Sequence, residues 1–132
     1  MRALLPISAA YAALLAVLVV ILLLVVVKLR RSFKVGIGDG GNRDLARAIR
    51  VHANAIEGIP LFLILFVLYE LNGAPVMALH AIGGLYLASR VAHAAGMLRT
   101  AGPSIGRVAG TVGSVTCVIV LAVLNVLRAV NG

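Results

Sequence analysis

Arg43, Arg47, Arg50, Asn54 and Glu57 recur at spacings of four, three, four and three, so on a helix they share one face. Their types imply recognition of a small zwitterion. An arginine fork, Arg50 with Arg47 beside it, can clamp a carboxylate in bidentate fashion. Asn54 offers both a donor and an acceptor to a peptide group, and Glu57 can accept an ammonium. Each has a plainer use. Arg43 and Arg47 can be interfacial arginines that snorkel. Glu57 can pair with Arg50 across two turns, or with Arg90 from another element. The stripe runs into LFLILFVLY (61–69), so its charges enter an apolar helix. There an ionisable group is costly unless it is paired or faces a cavity.

The elements that must position this stripe are membrane spans. Of the 132 residues, 62% are hydrophobic and mean hydropathy is +1.11, above the ~45–50% apolar share of a soluble domain. One domain over residues 1–132 is expected. Residues 4–27 are almost unbroken apolar residues, long enough for a hydrocarbon core of ~30 Å. A cleaved signal peptide would have a shorter apolar run, ~7–15 residues, than this one, which ends on the basic anchor Lys28, Arg30, Arg31 and Lys34. Further spans are expected over 43–71, 76–98 and 108–127. Pro60 should kink the second, while Asn42 or Asp44 caps its start. The third is rich in small residues, Gly83, Gly84, Ala88, Ala92 and Ala95, which suit close packing. It also carries Arg90 and His93, with Tyr86 and Met97 on the same spacing. His93 is read as a packing hydrogen-bonder before a catalyst, and His52 and His80 as structural or interfacial. Glu70 is read as solvated by the interface. The expected fold is an all-α membrane protein, a four-transmembrane-helix bundle.

Several classes are excluded. The net charge of +8 comes without aromatic–basic interleaving, so nucleic acid is not the expected partner. VGIGDGG (35–41) lacks the GK[ST] ending of a phosphate loop and follows a membrane helix, so it reads as a tight connection. Cys117 is the sole cysteine, which allows neither an intrachain disulfide nor a cysteine zinc site, and no metal site is expected. A small multidrug exporter would have a carboxylate in its first span, and this one has none. The basic residues concentrate between spans one and two and between spans three and four. The positive-inside rule therefore puts those turns in the cytoplasm, and both termini, with Arg2 and Arg128, outside.

RAIRVHANAIEGIPLFL resembles the second helix of the MAPEG family, membrane-associated proteins in eicosanoid and glutathione metabolism, with its R-x-x-x-N-x-x-E and following proline at Arg50, Asn54, Glu57 and Pro60. LRRSFKV looks like the arginine pair closing the first span of the leukotriene synthases, and SRVAHAAG is similar to a stretch of the prostaglandin E synthases. GDGG and ELNGA look like the small bacterial inner-membrane branch. The resemblance implies a homotrimer in the bacterial inner membrane that binds glutathione in clefts near the cytoplasmic face. It places the tripeptide on Arg50, Asn54 and Glu57, with Arg30, Arg47, Arg90 and His93 as further binding candidates. An arginine that stabilises the thiolate is implied at the end of span one, Arg31 or Arg30, or at the start of span four. There Arg107 is shifted by about one residue from the family position, which Gly106 holds. Met97 and Gly110 stand where the eicosanoid synthases have tyrosines.

The implied activity is a glutathione-dependent transferase or peroxidase acting on lipophilic electrophiles, the nucleophile being the cofactor's thiolate. The alternative is a non-catalytic protein that binds lipid or glutathione and assists a partner.

Overall fold

The computed structural model describes residues 4–131, and Arg2 lies outside the described residues. Four helices follow one another: α1 (Pro6–Phe33), α2 (Arg43–Leu71), α3 (Val76–Arg99) and α4 (Ile105–Asn131), with no strand among the described residues. By length and composition α1, α2 and α4 can cross a membrane. The 24 residues of α3 span ~36 Å at ~1.5 Å each, but its charges lower its hydropathy. The chain is an all-α membrane protein built as a four-helix bundle.

Local chemistry sets each boundary. Pro6 sits in the first turn of α1, where a missing N–H costs nothing. The helix extends past the expected residue 27 to Phe33, so Lys28, Arg30 and Arg31 belong to its last turns. Lys34 then adopts a left-handed conformation at φ 56°, and its N–H bonds the Arg31 carbonyl. In the turn that follows, Gly40 has φ +58°, and a Cβ there would lie 2.7 Å from Val35 Cγ2. Asn42 caps α2, its Oδ1 accepting the N–H groups of Asp44 and Leu45 at 3.0 Å each. The helix continues unbroken through Pro60. Ser104 caps α4, its hydroxyl accepting the Arg107 N–H at 3.2 Å.

The helices alternate in direction. The Glu70 carboxylate near the end of α2 meets the start of α1, and Asn125 Nδ2 of α4 donates to the Leu65 carbonyl of α2 at 2.9 Å. One end of the bundle therefore holds the start of α1, the α2–α3 turn and the end of α4. The other holds the two basic turns.

α1 packs on α2 and α3, α4 packs on α2 and α3, and α1 does not touch α4 among the described residues. The core runs between them. Phe62 stacks on Tyr86 at 3.6 Å with an interplanar angle of 2°, and on Phe66 at 5.1 Å. Leu15, Leu79 and Leu121 close around these rings.

The α3–α4 seam is the tightest contact and it decides where the α4 side chains go. A Cβ on Gly110 would lie 2.5 Å from the Ser89 carbonyl oxygen and 2.6 Å from the His93 nitrogen. One on Gly96 would lie 2.6 Å from the Arg107 nitrogen. Bare backbones thus pack where side chains would keep the helices apart.

One sequence reading is corrected here. Glu70 is not left to interfacial water: its carboxylate accepts the Ser8 N–H at 2.7 Å and the Ile7 N–H at 3.1 Å, capping α1 from 62 residues away. His80 is structural, as read from sequence: the Tyr11 hydroxyl lies 3.3 Å from its Nδ1 and donates to its carbonyl at 3.1 Å.

Candidate functional site

A cleft of ≈ 440 Å³ opens between α2 and α4, with α3 as its floor. From α2 it takes Arg50, Asn54 and Gly58, the inner edge of the polar stripe. From α3 it takes Tyr86, Arg90 and His93, one helical face at spacings of four and three. From α4 it takes Arg107 and Thr111, then Ser114 and the apolar Val115, Val118 and Ile119. The polar groups cluster toward the basic end, and the apolar wall continues toward the bundle middle.

The floor is charged and buried. Arg90 and His93 are each 7% exposed. Arg90 Nε and His93 Nε2 have no hydrogen-bond partner among the described residues. A buried guanidinium without a full set of acceptors is a binding site for an anion or a carbonyl oxygen. The other ring nitrogen of His93 is engaged: Nδ1 lies 3.2 Å from the Arg107 carbonyl and 3.1 Å from Thr111 Oγ1. Thr111 Oγ1 itself donates to the Arg107 carbonyl at 2.8 Å, so the hydroxyl is left to accept. The network therefore assigns the proton of the neutral ring to Nδ1 and leaves Nε2 as a buried acceptor. His93 is both the packing hydrogen-bonder expected from sequence and part of the cleft.

Glu57 stands outside the lining of the cleft, and the contacts on this outer side of α2 are looser. The Arg50 and Glu57 side chains are 63% and 59% exposed, and Arg50 Nη1 lies 3.6 Å from Glu57 Oε1. The expected alternative of a Glu57–Arg90 pair is not formed, because Glu57 lies on the outer face of α2 while Arg90 is buried on the inner side. Asn54 Nδ2 donates to Met97 Sδ at 3.5 Å, a soft acceptor that a better ligand can displace. Arg47 pairs with Asp44 and, with Arg50 and Arg107, lines a smaller cavity of ≈ 230 Å³ by the α3–α4 turn.

The two arginines at the end of α1 part company. Arg30 turns away from the cleft, its Nη1 donating to the carbonyls of Gly36 at 3.1 Å and Gly38 at 2.9 Å. It holds the glycine turn in shape. Arg31 is exposed at the end of α1 and does not line the cleft of its own chain. Arg107 does line it. Gly106 lies in the seam, where a Cβ would meet the Ala92 carbonyl oxygen at 3.0 Å, a tight contact.

Sequence reading missed Gly58 and Thr111. Gly58 follows Glu57 directly, and its lack of a side chain leaves the α2 wall of the cleft bare opposite Tyr86 and Arg90. No group of three or more metal-ligating side chains clusters among the described residues.

An all-α membrane protein built as a four-helix bundle, with a cationic cleft of ≈ 440 Å³ beside its basic end, is the class that fold and site define. The chain matches the MAPEG family over residues 8–127, and it belongs to that family. It is 42% identical over 87 residues to "Inner membrane protein YecN" from two strains of Escherichia coli. That match spans 66% of this chain and 66% of each relative.

Proposed function

We propose that the protein is a glutathione-binding membrane protein that conjugates or reduces lipophilic electrophiles with an arginine-stabilised glutathione thiolate. One observation carries the reading. The cleft gathers Arg50 and Asn54 from α2, Arg90 and His93 from α3 and Arg107 from α4 around one volume with an apolar wall. Arg50 takes a glutathione carboxylate, Asn54 a peptide group and Glu57 the ammonium at the rim. Arg107 favours the thiolate by charge. A substrate dissolved in the lipid reaches the sulfur along Leu61, Val115 and Ile119.

The relative's name supports a bacterial inner membrane location. The gathering of basic residues at one bundle end supports a cytoplasmic cleft with both termini outside. The Glu57 carboxylate is 59% exposed on an apolar span, which supports a homotrimer whose neighbour covers it.

Titration calorimetry of the purified protein with glutathione tests the reading. Saturable binding is expected, weakened ~10-fold or more by Glu57→Gln, the loss of one charge-assisted contact. No binding, with the variant indistinguishable from wild type, would remove the proposal.

A second reading is a non-catalytic protein that binds lipid or glutathione and assists a partner. It is favoured by Gly110, whose backbone is packed so closely on Ser89 and His93 that no tyrosine can stand there. It predicts glutathione binding with no turnover across an electrophile panel.

A further inference from the structure

Two donors on the α3 floor converge where nothing has yet been placed. An ideal Cβ built on Gly58 would lie 3.6 Å from the Tyr86 hydroxyl oxygen and 3.9 Å from Arg90 Nη1. Both groups therefore overlook the gap that this glycine leaves in α2, and all three residues line the cleft. Tyr86 is 1% exposed and held rigidly, its ring stacked on Phe62 at 3.6 Å. Arg90 is fixed by burial, with its Nε unpartnered. A neutral donor and a cationic donor, preorganised and away from bulk water, are the components of an oxyanion hole.

We infer that the Tyr86 hydroxyl and the Arg90 guanidinium, side by side on α3 and both opposite Gly58 of α2, bind an electronegative oxygen of the lipophilic second substrate, an oxygen that gains negative charge during reaction. The fitting class is the α,β-unsaturated carbonyls. Their role as substrates rests on the glutathione reading above, whereas the oxygen site itself rests only on Gly58, Tyr86 and Arg90. In the reaction the thiolate sulfur forms a C–S bond to the β-carbon. The C=C pair moves toward the carbonyl and leaves an enolate oxygen, which Tyr86 and Arg90 hold. A proton from water then adds to the α-carbon, matching the proton the thiol gave to water. The sum is addition of S–H across the double bond, with nothing oxidised or reduced by a third reagent.

The test uses the full-length protein in detergent micelles without glutathione, and a lipophilic alkyl nitrophenol whose phenolate is read by its visible band. Wild type should bind the phenolate and lower the phenol's apparent pKa relative to empty micelles. Tyr86→Phe keeps the stack on Phe62 but removes the donor, and should weaken phenolate binding ~10–100-fold, the range for one hydrogen bond to a charged group. Gly58→Ala keeps both donors and puts a methyl group in the oxygen's place. It should weaken binding at least as much, with a thermal midpoint no lower than wild type. Equal phenolate binding by wild type and both variants, or a wild-type spectrum the same as in empty micelles, overturns the oxygen site. A calorimetric titration with glutathione run alongside separates the two claims. Absence of glutathione binding with the phenolate response intact removes only the conjugation role.

Discussion

The Glu70 carboxylate near the end of α2 and the Ser8 N–H in the first turn of α1 are joined by a 2.7 Å hydrogen bond, and the second carboxylate oxygen takes Ile7 at 3.1 Å. This is an N-terminal cap supplied from another helix. It satisfies two donors that α1 cannot satisfy itself and sets a negative charge against the positive end of the helix. Glu70→Ala is expected to lower stability by ~1–2 kcal/mol, as for loss of a good cap. Glu70→Gln keeps one acceptor and should lose less. Thermal unfolding in detergent, followed by circular dichroism, orders the three proteins. Equal midpoints would show that the cap contributes nothing.

Gly110 sets how closely α4 approaches α3. A Cβ there meets two backbone atoms, the Ser89 oxygen at 2.5 Å and the His93 nitrogen at 2.6 Å, and backbone cannot swing aside as a side chain can. Gly110→Ala should therefore destabilise by ~1–3 kcal/mol, the usual cost of overpacking. It should also shift Arg107 and Thr111 away from His93. Gly110→Tyr, which writes the synthase residue into this chain, should reduce folded yield rather than add activity. The checks are size-exclusion recovery and the thermal midpoint. A well-folded Gly110→Tyr protein would mean that the seam opens more easily than its contacts imply.

Arg30 is a structural arginine. Its three carbonyl contacts, with Val35, Gly36 and Gly38, come from one guanidinium nitrogen and fold the glycine turn back on the end of α1. Arg30→Ala should raise amide hydrogen exchange across residues 35–41 by ~10-fold or more, since those amides then lie in a turn with one fewer tie. Arg31→Ala, one residue on and exposed, should leave that exchange as it is. The reverse pattern would exchange the two roles.

What the sequence revealed, and what it hid, follows from the range of the interactions. Asn42 as a cap and the Arg50–Asn54 stripe were legible because both depend on residues within seven positions on one helix. Tyr86, Arg90 and His93 were legible as one face of α3 for the same reason. The Glu70 cap was not, because its donors lie 62 and 63 residues away and nothing in the local pattern marks them. Arg30 and Arg31 are equivalent in type and adjacent in sequence. Only the rotation of ~100° between neighbouring helical positions sends one into the turn and the other outward. Gly58 was invisible for a further reason: its function is the absence of atoms, which counts only once Tyr86 and Arg90 are known to stand opposite.

Arg107 lines the cleft, and the effect proposed for it on a glutathione thiol has a definite sign in pH. A nearby guanidinium stabilises the thiolate over the thiol, so it lowers the thiol pKa from its ordinary ~8.5. At pH 7 the bound tripeptide should then be substantially ionised, visible as the thiolate's ultraviolet band. Arg107→Gln removes the charge and should return the thiol toward its ordinary value. The thiolate band at pH 7 should fall several-fold, and any conjugation rate should fall with it. Above pH ~9 a thiol of ordinary pKa is ionised without assistance, so wild type and variant should converge there. Seam packing is not the cause of such a loss, because the Arg107 groups that bond to His93 and Ser104 are its backbone carbonyl and N–H, which glutamine retains. A thiolate band that titrates identically in both proteins would remove Arg107 from this role and direct attention to Arg31 of a neighbouring subunit.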